Sequence, residues 1–267
     1  MAISTSKEAY SGRLFYWGYD GVKPIGEGAK RVMQAGVLEA VTLGNVVDVE
    51  ANETHIAIVA MDRDLKQSFG LSVYVLHTGP DAKPITIRVP GIIRASLSPD
   101  GKMAALGICN SNGCQLEIVG LNALSTIIWK RALTDRITSV AWNPRNEKVA
   151  YVTADSGVHI VDVGRDGEVT MDGSEIGWSP TGDRLAIARG NNIVVYSSGT
   201  KTEKTLLSRA FWKNRIVGRI SWAAPDTIAF NTPSGIDGNK LTCNFYDVAS
   251  GSVTTMGDGY SFCGLVQ

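Results

Sequence analysis

Four positions that share one register of a repeating pattern carry the groups best placed to do chemistry. Arg94, Ser139, Glu175 and Arg219 each lie three residues before Leu97, Trp142, Trp178 and Trp222 respectively. In extended chain they share a facing with Ser96, Ala141, Gly177 and Ser221, small residues suited to a crowded axis. Two guanidinium groups and a carboxylate at one level can neutralise one another, or they can hold a carboxylate, a phosphate or an acidic side chain of a partner. The sequence leaves both readings open. A second group is Phe211-Trp212-Lys213-Asn214-Arg215. Adjacent rings with cations have the composition of interface hot spots, where aromatics supply area and Arg supplies directed hydrogen bonds. The competing reading turns one of the two rings inward as packing. Asp62, Arg63, Asp64, Lys66 and Phe69, together with Arg131, Arg136 and Asp237, complete the set expected to face a partner from loops.

Other chemistries find less support. His55, His77 and His159 sit alone inside apolar runs, and no Cys-x-x-Cys occurs, so no zinc site and no resident cofactor are expected. A cation at a channel needs several oxygen ligands at one level. Glu175 with Asp48 or Glu50 falls short of that, which disfavours a lactonase or dehydrogenase of the propeller kind. No Gly-x-Ser-x-Gly elbow is present, and a catalytic role is not expected. A glycan or other small-molecule binder is the alternative reading, but its sites would recur from repeat to repeat, and the aligned loops share neither sequence nor length.

The 26 basic and 26 acidic residues balance to a formal charge of zero. Without a basic footprint, nucleic-acid binding is not expected. No segment has membrane-spanning length and no secretory leader is visible, so the chain as written reads as cytoplasmic, or as periplasmic if a leader has been removed. Cys109 and Cys114 flank Asn110-Ser111-Asn112-Gly113, a tight hairpin connection that would set the sulfurs across from each other, as a disulfide or as two thiols. Nothing in the sequence pairs Cys243 with Cys263.

The elements that must position these groups come from a repeat. Ala95 to Leu106, Val140 to Tyr151, Ile176 to Ile187 and Ile220 to Phe230 each read as strand, Pro-containing turn, strand. Pro99, Pro144, Pro180 and Pro225 are separated by 45, 36 and 45 residues, a spacing that suits propeller blades. Each unit divides into four strands, a to d. Residues 45–89, 92–130, 137–171, 174–207 and 216–256 form five units, and 260–267 joins 1–44 as a sixth, with the C-terminal strand pairing with the N-terminal ones. The expectation is a single all-β domain, 1–267, a six-bladed β-propeller of four-stranded blades whose closure protects the sheet edges.

The Ser-Pro-Asp-Gly type turns, followed by an apolar b strand and by c strands ending Val-Asp-Val or Tyr-Asp-Val, resemble the WD40-like repeats of the TolB-type propeller over about residues 45–256. The Gly-His and Trp-Asp pairs of true WD40 units are missing from every repeat. The resemblance implies a binding platform. In such a blade the b–c and d–a connections emerge on one face. Residues 61–70, 231–239, 208–215 and 131–136 are connections of those two kinds, so that face is the expected docking surface for a protein partner, in an adaptor or an inhibitor role.

Overall fold

A Ser-Pro-x-Gly turn closes itself chemically before any packing is added. In the computed structural model the Ser98 hydroxyl donates to Asp100 Oδ1 at 2.7 Å and accepts from the Met103 amide at 2.9 Å, while Gly101 takes φ 66°. The next copy repeats the device: Ser179 Oγ lies 3.0 Å from Asp183 Oδ1 and 3.1 Å from the Arg184 amide, with Gly182 at φ 69°. Pro presets φ at one corner and Gly accepts the left-handed one, so each turn returns the chain antiparallel.

The described residues are 13–18, 21–25, 46–51, 55–61, 69–75, 85–87, 91–121, 126–145, 148–165, 167–207, 217–234, 240–255 and 264–266. They contain β1 (Arg13–Gly18), β2 (Gly21–Ile25), β3 (Val46–Ala51), β4 (His55–Met61), β5 (Phe69–Val75) and β6 (Ile85–Ile87). There follow β7 (Ile92–Leu97), β8 (Met103–Asn110), β9 (Gly113–Gly120), β10 (Ile127–Leu133), β11 (Ile137–Trp142), β12 (Lys148–Thr153), β13 (Gly157–Asp162) and β14 (Glu168–Asp172). The remainder are β15 (Glu175–Trp178), β16 (Arg184–Arg189), β17 (Asn192–Ser197), β18 (Thr202–Leu207), β19 (Val217–Ala224), β20 (Thr227–Ser234), β21 (Lys240–Asp247), β22 (Val253–Thr255) and β23 (Gly264–Val266).

Five antiparallel four-stranded meanders result, β3 to β6, β7 to β10, β11 to β14, β15 to β18 and β19 to β22, with a three-stranded sheet in the order β2-β1-β23. In the last sheet Arg13, Leu14 and Phe15 face Val266, Leu265 and Gly264. Two strands form in the N-terminal segment, with β23 at the sheet edge next to β1.

Successive sheets share their cores. Ala186, Ala188, Ile193 and Val195 of one sheet pack with Ile220, Trp222, Ile228 and Phe230 of the next. Ala150, Val152 and Val158 pack in the same way with Trp178, Leu185 and Ile187, and Leu116 and Ile118 with Ile137, Val149 and Tyr151. A middle strand is covered on both faces, which explains why β8, β12 and β16 read as near-continuous apolar runs rather than as an alternation.

The recurring tryptophans are seam residues, as their shared register suggests. Trp142, Trp178 and Trp222 are buried. Trp178 Nε1 donates to the Ala141 carbonyl at 3.2 Å, and Trp222 Nε1 to the Gly177 carbonyl at 3.0 Å, each reaching the first strand of the preceding sheet. Gly177 must be small, because a Cβ there would lie 2.5 Å from the Ile220 carbonyl oxygen.

Two expectations about element bounds need correction. The connection expected at 131–136 begins later, because the outer strand runs Ile127–Leu133 and Arg131 belongs to β10. Phe69 likewise opens β5. In both cases the residues read as loop continue a ladder with the strand beside them.

Candidate functional site

The first strand of every sheet runs from its d–a connection towards its a–b turn, so residues early in that strand lie at the d–a end. Arg94 in β7, Ser139 in β11 and Glu175, which opens β15, all occupy that end. The structure brings these three together: the Ser139 hydroxyl hydrogen-bonds the Glu175 carboxyl, and the Arg94 guanidinium acts on it electrostatically. Burial pushes the Glu175 carboxyl up to about 7, against the opposing pull of Ser139 and Arg94. Desolvation also lowers the Arg94 pKa, with Glu175 opposing it. Arg94 is held by backbone, its Nε donating to the Thr138 carbonyl at 2.6 Å and its Nη1 to that of Ile93 at 2.8 Å. Arg219 lies in β19 at the matching register, where the backbone alone is described.

A second polar feature is a cleft of about 560 Å³ at the outer rim, between the sheets β11 to β14 and β15 to β18. Asp155 comes from the b–c turn of the first sheet, Gly157 and His159 from β13, Asp172 from the end of β14, and Arg189 and Glu203 from the next sheet. Arg189 and Glu203 form a two-point pair at 2.9 and 3.0 Å, and Arg189 Nε also donates to the Asp172 carbonyl at 2.9 Å. That pairing raises the Arg189 pKa and lowers that of Glu203. Sequence reasoning missed this cleft. Its lining comes from different strands of two repeats and shares no register, so the only available signal was the isolated His159 in an otherwise apolar strand.

Behind the cleft His159 stacks on Tyr151, with ring centroids 4.7 Å apart, and His159 Nδ1 lies 2.9 Å from Glu168 Oε1. The same carboxylate accepts from the Tyr151 hydroxyl at 2.9 Å and meets Arg131 Nη1 at 3.0 Å. Burial and then the Glu168 bond push the Tyr151 phenol up to about 12, so it remains a donor throughout the physiological range. Thr153 Oγ1 stands 3.3 Å from His159 Nε2, completing a hydroxyl, imidazole and carboxylate line. It is a poor nucleophile device, because Thr153 is buried and its hydroxyl donates to Asp155 Oδ1 at 2.6 Å, which turns its single proton away from the imidazole.

Of the residues expected to face a partner, Arg131 lies over the Trp129 ring at 5.6 Å as well as against Glu168, so it ties two sheets together rather than standing free. Arg136 is exposed on the β10–β11 connection, at the d–a end as expected. Phe211, Trp212, Lys213, Arg215, Asp62, Arg63, Asp64, Lys66 and Asp237 lie outside the described residues, as does the Phe69 side chain. The connections 62–68, 208–216 and 235–239, on which the expected loop asymmetry chiefly rests, lie outside the described residues. Cys109 and Cys114 form a disulfide across the hairpin, the first of the two readings, and Cys243, for which the sequence offered no pairing, is also disulfide-bonded. Among the described residues no group of three or more His, Cys, Asp or Glu could hold a metal ion.

No family model matches the chain, and no curated protein matches it in sequence. Among solved structures it is similar to the Cps50 (Swd1) β-propeller domain of Myceliophteria thermophila, at a TM-score of 0.54 and 12% identity, covering 80% of this chain and 86% of that one. The chain therefore has a β-propeller fold.

Proposed function

We propose that this chain is a non-catalytic binding propeller that offers the b–c and d–a end of its sheets to a protein partner, as an adaptor or as an inhibitor of the immunity type. The observation that carries this reading is that polar side chains of different sheets meet at that end: Ser139 and Arg94 act on the buried Glu175 carboxyl, and Arg189 donates to the Asp172 carbonyl, with exposed Arg136 on a d–a connection at the same end. The charged groups are also held in place by neighbours, as Arg94 is by two carbonyls and Arg189 by Glu203, which suits pre-organised recognition. Propellers of the WD40-like kind commonly mediate protein binding, and the TolB-type resemblance points the same way.

The ring itself belongs to this proposal. Six blades follow if β23, β1 and β2 form one of them, with β23 as its inner strand. Pairing of β23 with β1, and packing of β23 beside the inner strands β19 and β3, support that arrangement. The Cys109–Cys114 bond supports the oxidising alternative for its compartment, a periplasm-like space, over the cytoplasm.

The test uses the full chain as bait in extract of its native host, beside two single variants. Arg136→Glu reverses an exposed charge at the proposed end, and Lys102→Glu reverses one at the other. Loss of the captured partner with Arg136→Glu and its retention with Lys102→Glu is the expected result. The opposite pattern would reject the face.

A further inference from the structure

Among the described sheets, β2-β1-β23 is the one with three strands, and β23 is short. Its register with β1 runs over Gly264, Leu265 and Val266 against Phe15, Leu14 and Arg13. The two segments are separated by most of the chain, so this small pairing has to offset the entropy of bringing them together. The sheet β19 to β22 lies beside it. Ile220, Trp222, Ile228, Phe230 and Tyr246 of that sheet pack against β15 to β18. Alternation puts Ala229, Asn231, Cys243 and Phe245 on the opposite face, where Asn231 stands across from Cys243 and Ala229 across from Phe245. All four are buried, Cys243 at 2% exposure, so this face is covered. β23 packs beside β19, and its sheet is the one on that side. Neither side-chain polar atom of Asn231 makes a hydrogen bond, so Asn231 adds no tie across the seam.

We propose that Cys243 is joined to Cys263, and that this bond is the clasp of the ring, tying β23 to the sheet β19 to β22 and making closure depend on oxidation. The chain has four cysteines. Cys109 and Cys114 are bonded to each other, Cys243 is disulfide-bonded, and its burial keeps out a cysteine of any other molecule. Cys263 is the cysteine that remains, and in sequence it immediately precedes β23. Without the bond, β23 is tethered to its neighbour only through the connection 256–263 from β22. With it, the strand starts at the residue after a point fixed on β21, which removes most of the freedom that pairing with β1 would otherwise have to overcome. Opening the clasp takes two electrons. A dithiol supplies them by closing to its own disulfide, and the Cys243 and Cys263 sulfurs each take up one proton as thiols. The proposal rests on the six-bladed ring proposed above.

The experiment has two parts, both on the full oxidised chain. In the first, thiols are blocked with iodoacetamide in denaturant and the protein is digested with trypsin. The peptide 241–267 holds both cysteines; it should carry no label until reduced, and cleavage after Met256 should leave its two halves joined. In the second, amide hydrogen exchange compares the parent with Cys263→Ser. The variant should lose protection at 13–15 and 264–266, and its unfolding constant should rise by about a hundredfold, the size expected for a disulfide closing a loop of this length. If Cys263→Ser does not fold, the double variant Cys109→Ser/Cys114→Ser, which keeps only the proposed bond, gives the same reading before and after dithiothreitol. Label on Cys263, or halves that separate, would overturn the pairing. Equal protection in parent and variant would overturn the clasp and leave the ring standing. Free exchange at 13–15 and 264–266 in the oxidised parent would overturn the ring, and the clasp with it.

Discussion

Glu175 is the residue whose surroundings make the sharpest demand on solution behaviour. Its carboxyl titrates at about 7 in the folded chain, raised from 4.5 by burial. Between those values the folded protein holds a proton that the unfolded chain has released. Stability is therefore full below about pH 4.5, declines as pH rises through the window, and has lost this contribution above about pH 7. Glu175→Gln cannot ionise and should flatten that slope, leaving the variant more stable at pH 8 by on the order of 1–2 kcal/mol. Thermal unfolding of both proteins from pH 4.5 to 8 measures it; parallel curves would mean that the carboxyl is solvated. Trp222→Phe makes a second demand. It deprives the Gly177 carbonyl of a donor at 3.0 Å and should cost about 1–2 kcal/mol in denaturant unfolding. The axial cluster was legible in the sequence because Arg94, Ser139 and Glu175 share an offset from the seam residues. The cleft was not, since Asp155, His159, Arg189 and Glu203 meet only through the packing of two sheets.

Among the elements, the inner strands are constrained by how closely neighbouring sheets approach. A Cβ on Gly177 would meet backbone of β19 that has no room to give, so Gly177→Ala should destabilise by about 2 kcal/mol or more, with an unfolding midpoint well below that of a matched change at exposed Gly199. The hairpin between β8 and β9 is braced by the Cys109–Cys114 bond, which closes a short loop. Cys114→Ser should cost about 2 kcal/mol by the chain-entropy relation, read from denaturant unfolding under oxidising conditions that leave the Cys243 bond intact. The strand positions themselves could be read because Pro and Gly punctuate each turn. The connection read at 131–136 is partly strand, since sequence alone does not reveal that Arg131 to Leu133 continue the ladder against β9. Polar residues at a sheet edge look the same in a strand as in a loop.

For the whole molecule, the repeat spacing made the all-β architecture and the sheet order readable, while the face that matters was less so. The long connections lie outside the described residues, and the meeting of Arg94, Ser139 and Glu175 from three sheets has to carry the argument. If the ring depends on β23, removing residues 260–267 should lower the unfolding midpoint of the entire domain in one cooperative step, as loss of an inner strand exposes the edges beside it. An unchanged transition would mean that the closing sheet contributes nothing. The binding claim is tested most directly by amide hydrogen exchange of the full chain, free and in complex with the partner captured from its host. The account predicts protection of the turns at 134–136, 154–156, 173–174 and 190–191, at the b–c and d–a end. Protection confined to 98–102, 143–145, 179–183 and 225–226, at the opposite end, would contradict it.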